Sequence, residues 1–171
     1  MKKVLIAVDD TKGSKAVVSV FHNLALPREG IVLLYVERLL GRSQMINMLG
    51  DAEMSTLKES LKGTEHKERL DEKAEKILTY YKKELGDGKI VPIKTVIREG
   101  HPGDEILKVA EDEKVDLILL GSNTKKGLHR LITGCVSRYV ERRARAPVII
   151  ARIKGCENYS YKEGEEIYAF R

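Results

Sequence analysis

The run Val4-Leu5-Ile6-Ala7-Val8 constrains the fold of this chain more than any other feature. Consecutive apolar residues with no polar alternation fit a strand buried on both faces, as in parallel sheets covered by helices. Similar runs recur at 31–36, 115–120 and 148–151. A further strand is expected at 90–97, where Pro92 removes a ladder donor and so points to a sheet edge. Helical stripes separate these runs. Ala16, Val17, Val20, Phe21 and Leu24 share one face of a segment at 14–24. Leu70, Ala74, Ile77, Leu78, Tyr81 and Leu85 do so in a longer helix, which Gly86 and Gly88 stop. Ile106, Leu107 and Ala110 mark a helix starting near Pro102, and 135–145 reads as the last helix.

Strands alternating with helices predict an α/β fold, a doubly wound five-stranded parallel sheet with helices on both faces. Right-handed crossovers make the winding reverse, giving strand order 3-2-1-4-5 with the reversal between the first and fourth strands. Ligands of such sheets bind at the carboxyl ends of strands where the winding reverses. The loops to watch are therefore 9–13 and 121–133.

A chain of 171 residues fits one domain that buries a core without staples. Cys135 and Cys156 have no paired spacing, and His22, His66, His101 and His129 are scattered, so a zinc site is not expected. The first apolar run is shorter than the ~7–15 residues of a secretory core, and no stretch reaches the ~20 residues of a membrane span. A cytoplasmic protein is expected. The net charge of +5 comes from 31 bases mixed with 26 acids, a salt-laced surface rather than a nucleic-acid stripe. Arg142, Arg143 and Arg145 suit the carboxyl end of the last helix, with a nucleic-acid or acidic-partner patch as the sharper alternative.

Residues 1–153 are read as the domain, with an insert at 39–64 after the second strand. Met45, Ile46, Met48, Leu49, Met54, Leu57 and Leu61 make the insert a helical excursion over the sheet end, or else a lid or partner-binding loop. Residues 154–171 form an extension rich in aromatics (Tyr159, Tyr161, Tyr168, Phe170), either a strand pair on the same domain or a dimer arm.

The fourth strand runs into a polar loop that opens a helix near Gly134. Amides at a helix start lack intrahelical partners and favour negative charge, so a phosphate would sit on Gly134, Cys135 and Val136. A plain strand-to-helix connection explains the same residues. Asp9, at the end of the first strand, can accept from ribose hydroxyls or can cap the following turn.

Gly121, Thr124 and Gly134-Cys135 fall on the spacing G-x2-G-x9-G-[ST], which resembles the universal stress protein family. The opening 4–9, Leu33-Leu34-Tyr35-Val36, Gly100-His101-Pro102-Gly103-Asp104-Glu105-Ile106 and Ala146-Pro147-Val148-Ile149-Ile150 resemble the family too, over about residues 2–152. The resemblance implies an adenine-nucleotide site for ATP or AMP, with magnesium accompanying ATP. Asp9 would lie beside the adenosine, Val36 against the adenine and Gly121 by the ribose. Gly134, Cys135 and Val136 would hold phosphates. It also implies a homodimer, commonly through the last strand, that signals through protein partners.

Two positions depart from the pattern. Thr124 stands where the family has glycine, and a β-branched residue is strained at positive φ. Gly127, three residues on, is placed to take over in a shifted loop. Cys135 stands for Ser or Thr, and a thiol is a weak donor. Cys135 also reads as a redox-sensitive thiol or as a small half-buried side chain. A non-binding interaction protein with a vestigial site is therefore the alternative reading.

Other nucleotide folds fit less well. From Gly121 to Gly127 is too long for GxxxxGK[ST], and Leu128 follows where Lys is needed. No GxGxxG follows the first strand, and 9–14 lacks SGGxDS. A receiver domain would need an acceptor Asp where Gly121 ends the fourth strand. No adjacent nucleophile and base are evident, so no enzyme is expected beyond slow nucleotide hydrolysis.

Overall fold

A computed structural model of the chain describes residues 1–24, 27, 29–39, 48–122 and 136–152. Its elements are β1 (Lys3–Val8), α1 (Lys12–His22), β2 (Gly30–Glu37), α2 (Asp51–Leu61), α3 (Glu65–Glu84), β3 (Ile93–Glu99), α4 (Pro102–Asp112), β4 (Leu117–Gly121), α5 (Val136–Arg143) and β5 (Val148–Ala151). They form one parallel sheet in the order β3-β2-β1-β4-β5, as the alternation predicts. β1 lies at the centre, where Val4, Leu5 and Ile6 are fully buried.

Strand alternation sends successive side chains to opposite layers. Val4, Ile6, Ile31, Leu33, Leu117 and Leu119 meet Val17 and Phe21 of α1 and Ala74, Ile77 and Leu78 of α3. Leu5, Val32, Leu34, Ile118 and Leu120 meet Ile106 and Val109 of α4 and Val140 of α5. This double burial is why the strands read as unbroken apolar runs.

Two strand starts differ from expectation. β3 begins at Ile93, after Pro92, whose carbonyl accepts from the Ile31 amide at 2.8 Å. Proline brings no N–H to the ladder, and Ile90 is left exposed. β4 begins at Leu117 because the two residues before it serve as joints. The Val115 amide donates to the Ala110 carbonyl, and Asp116 Oδ2 accepts from the amides of Lys2 and Lys3 at 2.6 and 2.9 Å.

α3 is closed at both ends. Thr64 accepts from the Lys67 amide at 3.3 Å, and Gly86 turns the chain with φ of 96°. The Gly86 amide then donates to Lys83 and the Asp87 amide to Lys82, a Schellman closure. The insert does carry a helix, α2, yet none of its residues is buried. Met54, Leu57 and Leu61 are half-buried. With the first turns of α4, α2 lines a groove of about 430 Å³. Residues 40–47 of the insert, the loop 123–135, residue 153 and the whole extension 154–171 lie outside the described residues. No described helix is long and apolar enough to cross a membrane.

Candidate functional site

β1 lies between β2 and β4, with Val8 level with Tyr35 and Ala7 level with Leu120. The chain leaves β1 toward β2 on one side, while β3 feeds β4 on the other. The carboxyl ends of β1, β2 and β4 therefore meet where the winding reverses, and the loops that follow β1 and β4 open between them.

Asp9 occupies the tip of β1. Its Oδ1 accepts from the Thr11 amide at 2.9 Å, the Thr11 hydroxyl at 2.6 Å and the Ser14 hydroxyl at 2.5 Å. The Asp9 amide donates to Ser14 Oγ at 3.0 Å. So the turn-capping role weighed for Asp9 is realised, and it uses one carboxylate oxygen. No described residue bonds Oδ2. Tyr81 of α3 donates its hydroxyl to the Asp9 carbonyl at 3.5 Å, and Lys73 pairs with Asp10 at 2.6 Å. Burial, then the nearby carboxylates, push the Tyr35 and Tyr81 hydroxyls above the ordinary tyrosine value, so both stay protonated donors.

Gly121 ends β4 against the start of α1. A Cβ there would lie within 2.6 Å of the Ser14 amide nitrogen, closer than atoms tolerate. The glycine thus has a packing reason beside the ribose role that the resemblance implies. It brings the exit of β4 onto the segment that holds Asp9. Val36, at the end of β2, and Val136, at the start of α5, both pack against the core on the α4 face. Thr124, Gly127, Gly134 and Cys135 fall outside the described residues, so the phosphate-holding part of the site is not placed.

Beside Val36 lies a cluster that sequence reasoning missed. Glu37 is fully buried, and its Oε2 accepts from Lys67 Nζ at 2.9 Å. The same ammonium meets Glu99 at 2.9 Å and also pairs with Asp71. Glu37 and Glu99 sit level across β2 and β3. Glu37 Oε1 has no hydrogen-bond partner among the described residues. Burial outweighs the Lys67 hydrogen bond and, with Asp71 and Glu99, holds the Glu37 carboxyl above the usual carboxylate range. Thr11 and Ser14 were missed as site residues too, although hydroxyls two and five places after a strand-end Asp are a recognisable capping pattern. At the far end of α5, Arg143 stacks on the Tyr139 ring at 4.0 Å and Arg145 meets Glu111 at 3.4 Å.

The family model described as the universal stress protein family matches residues 1–152. The chain belongs to the universal stress protein family. A universal stress protein of Methanocaldococcus jannaschii is 32% identical over 157 residues, 90% of this chain and 96% of that protein. Its solved structure aligns with a TM-score of 0.65 at 30% identity, again over 90% and 96% of the two chains. A universal stress protein family member from Arabidopsis thaliana, solved with AMP bound, has a TM-score of 0.59 at 19% identity, over 94% of this chain and 97% of that one. A universal stress protein solved in complex with cAMP has a TM-score of 0.58 at 16% identity, over 88% and 96%. The last two likenesses speak for the fold that this universal stress protein shares with them.

Proposed function

We propose that this universal stress protein binds an adenine nucleotide, ATP or AMP, at the carboxyl ends of β1, β2 and β4, and reports stress through partner proteins without catalysing a reaction. The observation that carries the reading is the Asp9 clamp. Thr11 and Ser14 hold one carboxylate oxygen at the strand switch, and the other carries no bond from a described residue. A preset acceptor is what ribose hydroxyls need, since it costs little ordering on binding. The solved family members with AMP and cAMP support the same ligand class. Among the described residues no group of three or more His, Cys, Asp or Glu could hold a metal, so magnesium would arrive on the phosphates of ATP. A cytoplasmic homodimer, with residues 1–153 as its domain and 154–171 as an extension, completes the proposal.

The test is thermal melting with ATP and with AMP. Ligand at 100 times Kd stabilises by about 2.7 kcal/mol, a readable shift. Asp9→Asn keeps an acceptor for Thr11 and Ser14 while replacing one carboxylate oxygen with a donor. We expect it to melt near the wild type and to lose most of the nucleotide shift. No wild-type shift at millimolar nucleotide would count against the proposal. It would favour the second reading, an interaction protein with a vestigial site, which Thr124 and Cys135 support. Mass spectrometry of nucleotide carried through gentle purification separates the two directly.

A further inference from the structure

Glu37 is the one charged residue among the described residues that is buried, and it follows Val36 directly. Three carboxylates, Glu37, Glu99 and Asp71, face one ammonium, Lys67. The first turn of α3 holds the end of β2 and the chain just beyond it: Lys67 bonds Glu37, and His66 donates to the Leu39 carbonyl at 3.2 Å. We propose that Glu37 is a proton-gated joint between β2 and the first turn of α3 that positions the Val36 end of the nucleotide cleft, closed when Glu37 is protonated and loosened when its buried charge is only partly offset by Lys67.

The inference rests on the nucleotide reading and adds its regulation. An ionised Glu37 leaves a charged oxygen, Oε1, buried with no donor among the described residues, beside two more carboxylates. A buried unpaired charge costs far more than a buried neutral group. A proton on Glu37 removes that cost, and the Oε2 contact to Lys67 persists as the weaker bond of a neutral acceptor. The charged and titratable groups around Glu37 are Lys67 and Asp71 from α3, Glu99 from β3, and Tyr35 of its own strand. Lys67 is held above the ordinary lysine value by hydrogen bonds to Asp71, Glu99 and Glu37, which outweigh its burial. It therefore stays charged while Glu37 titrates. For an acid whose folded form holds its proton more tightly, stabilisation is complete below the unfolded value and fades as pH rises through the folded one. The grip of α3 on β2 therefore weakens as pH rises through the raised Glu37 value.

Two readouts test this in wild type and Glu37→Gln, across about pH 5 to 8. The first is amide exchange in residues 65–71, corrected for base catalysis. The second is AMP affinity by calorimetry. In the wild type we expect exchange to quicken and affinity to fall about fivefold as pH rises, a modest coupling. Glu37→Gln mimics the protonated acid and should be flat in exchange. Its affinity carries only the titration of AMP's own phosphate, near pH 6. Parallel profiles for the two proteins overturn the proposal. Wild-type exchange that ignores pH overturns it without any variant. If AMP binds neither protein at any pH while the exchange profiles still differ, the joint stands and the nucleotide reading falls.

Discussion

Lys67 and Glu113 show how individual charges set the pH response of this molecule. Removing Lys67 leaves Glu37 buried without its only described partner, so Lys67→Met should cost about 3–5 kcal/mol in urea unfolding at neutral pH. The loss should shrink in acid, where Glu37 carries a proton. Glu113 works with the opposite sign. Lys94 and, less strongly, Lys3 bond it and lower its carboxyl below the usual range, although burial pulls the other way. An acid with a depressed folded value stabilises above its unfolded value and loses that gain as pH falls. Glu113→Gln should therefore cost about 1 kcal/mol or less at neutral pH, since Lys94 is mostly exposed, and nothing in strong acid. Urea midpoints against pH for the two variants should then converge on the wild type from the neutral side.

Elements were legible in the sequence where local chemistry alone decides them. Gly86 was read as a helix stop, and it is the left-handed residue of the α3 closure. Gly86→Ala should cost about 1–2 kcal/mol, the penalty of a Cβ in that conformation, and fray the last turn of α3 in amide exchange. Pro92 correctly marked β3 as an edge, but the strand starts after it, because the ladder needs an N–H there. Asp9 and Gly121 were legible as the residues at the tips of β1 and β4, where the apolar runs end. Glu37 was not, because a Glu at the end of an apolar run reads as a solvated residue. Only the arrival of Lys67 from a helix thirty positions away shows otherwise. Thr11 and Ser14 needed the folded turn to reveal that they share one oxygen of Asp9.

The topology was legible at the scale of the whole molecule because burial on both faces, the crossover rule and the alternation agree on one sheet order. The β1–β4 ladder joins its halves, and the contact of Gly121 with the start of α1 closes them at the carboxyl end. A methyl there meets backbone rather than a yielding side chain, so β4 and α1 must separate. Gly121→Ala should cost about 1–3 kcal/mol and displace the segment that carries Asp9, lowering any nucleotide-induced melting shift more than the loss of stability alone. The sheet order also governs synthesis. β1 ends at Val8, yet its neighbour β4 begins only at Leu117. At about 5–20 residues per second a ribosome takes on the order of 5–20 s to deliver that second neighbour. Until then β1, a strand buried on both faces in the finished fold, has one flank unpaired, so the nascent chain is the form most in need of a chaperone's cover.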